Sequence, residues 1–199
     1  NFLGIDPESL QGDLGDDVIS GDDGRDSLAG CEGDDSLAGG AGNDSLLGGQ
    51  GNDWLDGGED DDWLSGGDGN DSLQGGAFSD TLVDTVGSNW IVGGGDGDTI
   101  TIGVDAWTDI VFAGEAGGPD TAFNDTLAIN ATLGVNIFLA AGYVAQIAAG
   151  QPVVAWIGTG FENATGGSGA DALIGSNLAN ILDGGGGGDW LVGKGGADI

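Results

Sequence analysis

Histidine and methionine are absent from this chain, Lys and Arg together number 2, and cysteine occurs once, at Cys31. Without histidine neither a Ser-His-Asp triad nor a Cys-His pair can be assembled, and a lone cysteine forms no internal disulfide. Zinc and copper centres draw on the same missing residues. So few basic groups cannot contact a phosphate backbone, which excludes nucleic acid as a partner. A carboxylate pair of the glycosidase type is the remaining catalytic option. Most acids have a different assignment below, so no enzymatic activity is expected. Residues 1–10 also lack a charged and then apolar leader, and the chain stops at Ile199 partway through a repeat. A processed or partial chain is the expectation.

Acid and glycine dominate instead. The 199 residues carry 34 Asp and Glu, a formal net charge of −32, and 46 glycines. A solvated acidic tail would be poor in apolar residues, yet 39% of this chain is apolar. The charge therefore requires a partner that the chain does not supply. Carboxylate, carbonyl and water oxygens are hard ligands suited to Ca²⁺ or Mg²⁺.

A nine-residue period organises those acids. From Gly12 to Val83 eight segments follow without a gap: GDLGDDVIS, GDDGRDSLA, GCEGDDSLA, GGAGNDSLL, GGQGNDWLD, GGEDDDWLS, GGDGNDSLQ and GGAFSDTLV. The pattern is G-G-x-G-x-D-x-U-x, with U apolar. It continues more weakly through DTVGSNWIV and GGGDGDTIT, then blurs, with Asp109 and Asp120 at the expected acid position. From Gly166 it returns as GGSGADALI, GSNLANILD, GGGGGDWLV and GKGGADI. The chain thus divides into a lead-in (1–11), a first repeat block (12–101), a degenerate segment (102–165) and a second block (166–199).

Physically, glycines at positions 1, 2 and 4 permit left-handed backbone and close approach. The first six residues then form a turn, and the last three form a short strand with position 8 inward. The inward set is Ile19, Leu28, Leu37, Leu46, Leu55, Leu64, Leu73 and Leu82. One apolar residue per repeat is a thin core against the backbone entropy of a glycine-rich chain. Without metal this region is expected to be disordered.

The period resembles the RTX nonapeptide of type I secreted bacterial proteins. That resemblance implies an all-β fold, a right-handed parallel β-roll or β-solenoid with Ca²⁺ between stacked glycine-rich loops, two repeats per turn. It also implies the ligands: Asp17, Asp26, Asp35, Asp44, Asp53, Asp62, Asp71, Asp80, Asp98, Asp171, Asp189 and Asp198, with main-chain carbonyls. A representative site would use Gly40, Gly42 and Asp44 with Gly57, Glu59 and Asp62. Asn89 and Asn180 replace the carboxylate, so sites there are expected to be weak or empty.

Outward position 7 carries Trp54, Trp63, Trp90 and Trp190. These mark either an interface with another protein, a glycan or a second copy, or a surface covered by the middle of the chain. That middle, 126–161, has no charge: TLAINATLGVNIFLAAGYVAQIAAGQPVVAWIGTGF. Polar and glycine interruptions and the lack of basic flanks argue against a membrane span. Strands at 135–139 and 153–157 that continue the solenoid, cap it or pack on a neighbour are expected. GDWLVGK at 188–194 lacks the Ser or Thr of a phosphate loop and lies in repeat register. Two functions remain. One is an extracellular calcium-binding structural or adhesive protein that folds after secretion and assembles at the cell surface. The other is the folding and secretion module of a larger secreted enzyme or toxin.

Overall fold

A computed structural model of the chain describes residues 8–103, 110–112, 125–130, 135–138, 143–148, 151–157, 161–175 and 178–199. Each nonapeptide contributes one strand, and consecutive strands fall alternately in two sheets. Numbered in chain order, the first sheet runs β1 (Ser9–Gln11), β3 (Ser27–Glu32), β5 (Ser45–Gln50), β7 (Trp63–Asp68), β9 (Thr81–Asp84), β11 (Thr99–Gly103), β13 (Thr126–Asn130), β17 (Asn163–Thr165) and β19 (Leu182–Asp183). The second begins with β2 (Val18–Asp23), β4 (Ser36–Ala41), β6 (Trp54–Glu59), β8 (Ser72–Gly76), β10 (Trp90–Gly94) and β12 (Ile110–Phe112). No helix occurs among the described residues.

Register follows the repeat. Leu28 pairs with Leu46 and Leu46 with Leu64 in one sheet, and Leu37 pairs with Leu55 and Leu55 with Leu73 in the other. Two nonapeptides therefore complete one coil, and the expected parallel β-roll is the fold. The division of each repeat differs from expectation. Strands β3 to β7 are six residues long rather than three, covering positions 7–9 and positions 1–3 of the next repeat. Their first two glycines stay in the ladder, as Gly40 pairs with Gly58. Only positions 4–6 turn.

Positions 8 and 1 both face the interior. Leu28 through Leu82 at position 8 are buried completely or nearly so. Ile19, expected among them, is only partly buried; β1 and β2 are the outermost described strands of their sheets, so no described coil lies beyond it.

Left-handed backbone occurs at positions 2 and 4, not at position 1. Gly58, at position 2, has φ 117°, and a Cβ there would collide with the Gly40 carbonyl oxygen one coil earlier. Several non-glycine residues accept the same strain, among them Cys31 (φ 94°) and Phe78 (φ 77°). At position 1 the glycine leaves space for the groups described below.

The uncharged segment lies inside the second sheet. β12 is followed there by β16 (Gln151–Ile157), β15 (Tyr143–Ala148), β14 (Val135–Phe138), β18 (Ala172–Ile174) and β20 (Trp190–Val192). β15 runs antiparallel to both neighbours, whereas β16 joins β12 and β14 joins β18 in parallel. The strands expected at 135–139 and 153–157 thus continue the solenoid between the two blocks, with β15 as an unforeseen third. In the first sheet β13 pairs directly with β17.

Two substitutions check this packing. Leu55→Ala should cost about 2–5 kcal/mol, read as a lower unfolding midpoint of the calcium-loaded chain. Phe78→Gly should stabilise by about 1 kcal/mol, because the phenyl ring is half exposed and its left-handed backbone is strained. A lower midpoint for Phe78→Gly would contradict the strain.

Candidate metal centres

The position-6 aspartates line the two edges where the chain passes between sheets. Asp26, Asp44, Asp62 and Asp80 stand in one column; Asp35, Asp53 and Asp71 stand in the other. All are at most 4% exposed. Each column is bonded along its length. Asp62 Oδ1 accepts the main-chain N–H of Asp44 at 2.7 Å, and Asp80 Oδ1 that of Asp62 at 2.8 Å. On the other edge Asp71 Oδ1 accepts from Asp53 at 2.8 Å.

The second oxygen of each carboxylate is the informative one. Oδ2 of Asp26, Asp35, Asp44, Asp53, Asp62, Asp71 and Asp80 is buried and accepts no hydrogen bond. Burying a charged oxygen without a partner is costly, so such a row requires a cation or a proton. A position-1 carbonyl from the following coil lies beside it: a Cβ on Gly57 would strike both Asp62 Oδ2 and the Gly75 carbonyl oxygen. The same pairing recurs at Gly21, Gly39, Gly48 and Gly75. This glycine is needed for room rather than conformation. Among the described residues no three acidic, His or Cys side chains gather at one point, so main-chain carbonyls must supply much of any coordination shell. Hard oxygens of this kind, one carboxylate beside carbonyls, fit Ca²⁺.

The representative residues assemble as a pair of stacked loops. Asp44 Oδ2 and the Gly57 carbonyl oxygen converge at Gly39, and Asp62 reaches the Asp44 N–H. The Gly40 carbonyl points at Gly58 of the next coil. The Glu59 carbonyl accepts the Gly42 N–H at 3.1 Å. That last carbonyl is thus engaged in the ladder.

Elsewhere the columns are extended or interrupted. Asp98 accepts the Asp80 N–H at 2.9 Å, and Asp125 accepts the Asp98 N–H at 2.7 Å across 27 residues. Asp125 therefore takes the place expected for Asp120, which lies outside the described residues, as does Asp109. The nine-residue count hid Asp125, but its triplet Asp125-Thr126-Leu127 matches Asp80-Thr81-Leu82. Asp17 and Asp189 are half-buried and Asp198 is exposed, at the ends of the described coils; Asp171 is buried and its N–H reaches Asp189 Oδ1 at 2.9 Å. Asn180 likewise donates its N–H to Asp198 Oδ1 at 3.1 Å. Buried Asp84, a position-1 residue, was also missed.

Position 5 forms a second ladder that repeat counting did not single out. Asp34, Asn52 and Asn70 accept the N–H groups of Asn52, Asn70 and Ser88 in turn at 2.7–3.0 Å. Of the tryptophans, Trp54 and Trp90 stand in one row of the second sheet, separated by Ser72. Trp63 lies on the first sheet, and Trp190 on the second, beyond the uncharged strands. All four are exposed.

Burial pushes the carboxyls up from their ordinary range. Asp53 rises to about 6, Asp62 to about 7 and Asp80 to about 8, with neighbouring acids adding repulsion and the N–H of the preceding coil opposing it. A folded pKa above the unfolded value of 3.8 contributes stability that is complete below that value and is lost as pH rises through about 6–8. In EDTA, circular dichroism should therefore show more β-structure at pH 4 than at pH 8, whereas calcium should remove this difference. Equal order at both pH values in EDTA would contradict it.

The arrangement has a counterpart among known proteins. A family model described as RTX calcium-binding nonapeptide repeat (4 copies) matches residues 4–37, 30–64, 38–73, 47–82, 74–104 and 165–199. No curated protein matches the chain. Stacked glycine cradles, buried acids at every ninth residue and this match over most of the chain lead to one assignment: it belongs to the RTX calcium-binding nonapeptide repeat family.

Proposed function

We propose that the chain is an extracellular, secreted structural protein that orders on calcium and then associates at a cell surface, with copies of itself or with another surface protein or glycan. The observation that carries the calcium step is the row of buried carboxylate oxygens without donors, most of them facing a carbonyl of the next coil. Bound Ca²⁺ supplies the positive charge that lets these carboxylates be buried ionised. Asp26 through Asp80 hold the edges in register through Oδ1, and the position-1 glycines keep the cradles open. Position-8 leucines alone provide too thin a core to order the coils. Ordering is thereby coupled to calcium concentration by mass action. In a calcium-poor cytosol the repeats stay unfolded and exportable; outside they fold.

Association rests on a separate observation. Trp54 and Trp90 project from one row of a regular sheet, each about two-fifths exposed. Large aromatics on a flat outer face supply interface area at low entropic cost. No helix among the described residues is long and apolar enough to cross a membrane.

Circular dichroism and light scattering during a calcium titration, reversed with EDTA, test both steps. A coil-to-β transition near millimolar calcium with growth of large particles is expected. The same transition in a species that stays monomeric would favour a secretion and folding module of a larger protein, and no transition would overturn calcium-driven folding. Asp53→Ala should lower the melting temperature in calcium by at least about 2–4 °C, the shift per kcal/mol for a chain of this size, since its loop belongs to two stacked sites.

A further inference from the structure

At one coil the repeating site is built differently. In the repeat 84–92, position 1 is Asp84 instead of glycine and position 6 is Asn89 instead of aspartate. Read along the chain, both changes look like decay. In space Asp84 Oδ2 and Asn89 Oδ1 both face the repeat 66–74 a coil earlier.

The geometry there is specific. Asn89 Oδ1 does what an aspartate Oδ1 does elsewhere, accepting the Asp71 N–H at 2.9 Å. Its amide nitrogen instead donates to the Val86 carbonyl at 3.1 Å, so the loop offers an N–H where the others offer a second carboxylate oxygen. The missing charge reappears from the opposite side. At Gly66 the nearest oxygen from the following coil is Asp84 Oδ2 rather than a main-chain carbonyl, and it converges with Asp71 Oδ2 on the space a Cβ would fill. Asp71 and Asp84 are 2% and 1% exposed, and Asp71 Oδ2 accepts no hydrogen bond. Two buried carboxylates aimed at one point repel unless a cation or a shared proton lies between them.

The glycine cradle on this edge also changes here. Asp84 pairs in register with Ile102, and Ile102 with Ile129, both outside the glycine pattern. Ile102 is completely buried. Position 1 on this edge thus runs from glycine cradle through Asp84 to apolar core.

We infer that Asp84 is a side-chain calcium ligand that, with Asp71, gives the site between 66–74 and 84–92 a second carboxylate. The site between 66–74 and 84–92 is therefore filled, contrary to the weak or empty site that Asn89 alone implies. This inference rests on the calcium reading of the roll and adds a ligand position that the nonapeptide pattern does not contain.

Counting ions by native mass spectrometry, with calcium affinities from isothermal titration, tests it on the full chain. Asp84→Gly installs the residue found at this position in the other repeats, so the backbone is retained; it should hold one ion fewer at calcium concentrations that fill the rest, with affinity at that site weakened about tenfold or more. Asp84→Asn should do the same while keeping the side-chain shape. Adding Asn89→Asp to Asp84→Gly rebuilds the usual pair with Asp71 and should restore the count. Equal counts and affinities for wild type, Asp84→Gly and Asp84→Asn would overturn the assignment while leaving calcium-driven folding intact. A wild-type chain that binds no calcium would instead remove the reading beneath it.

Discussion

From Asp26 to Asp80 each nonapeptide buries a carboxylate, most with one oxygen already committed to the coil before it. Oδ1 accepts a main-chain N–H 18 residues earlier, as between Asp62 and Asp44, which leaves Oδ2 facing inward beside a carbonyl. That geometry sets the rest. At most position-1 sites of the first block a glycine leaves that space open, and the compensating positive charge must come from outside the chain, which has almost none. Charge balance and strand register are therefore one problem, solved or unsolved together.

The leucine column shows how little else holds the repeats. Leu28 through Leu82 fill a channel one side chain wide on each sheet, and the position-5 ladder of Asp34, Asn52 and Asn70 ties successive turns on one edge. Neither offsets the burial, and with it the repulsion among neighbouring acids, that pushes Asp62 and Asp80 upward. Such a structure is conditional by construction. Under the proposed function its order follows the concentration of Ca²⁺ or, without it, of protons.

The uncharged segment stacks by other means. Where Ile102 and Ile129 follow Asp84 in register, the glycine cradle gives way to apolar side chains, and the second sheet accepts the three strands β14 to β16 without the nonapeptide pattern. Buried Ile102 and Leu127 need no counter-ion, so the stacking at β11 and β13 rests partly on contacts of a different kind. Asp125 and Asn163 carry the first sheet across the same interval: the Asn163 N–H reaches the Asp125 carbonyl at 3.0 Å.

Strict periodicity made much of this legible. An apolar residue and an aspartate at fixed positions in successive nonapeptides mark the buried leucines and the acidic edge, while the two-repeat coil, in which interactions span 18 residues, is implied by the resemblance to the RTX nonapeptide. What escaped the repeat count is what departs from a constant offset. Asp125 sits 27 residues after Asp98 because its coil carries an insertion, and β15 runs antiparallel because its partners are set by hairpin neighbours rather than by the period. Asp84 looked like a lost glycine. Only the stacked structure decides that its carboxylate points back to Asp71, because convergence of two side chains from different coils is a property of three-dimensional packing and leaves no spacing of its own in the chain.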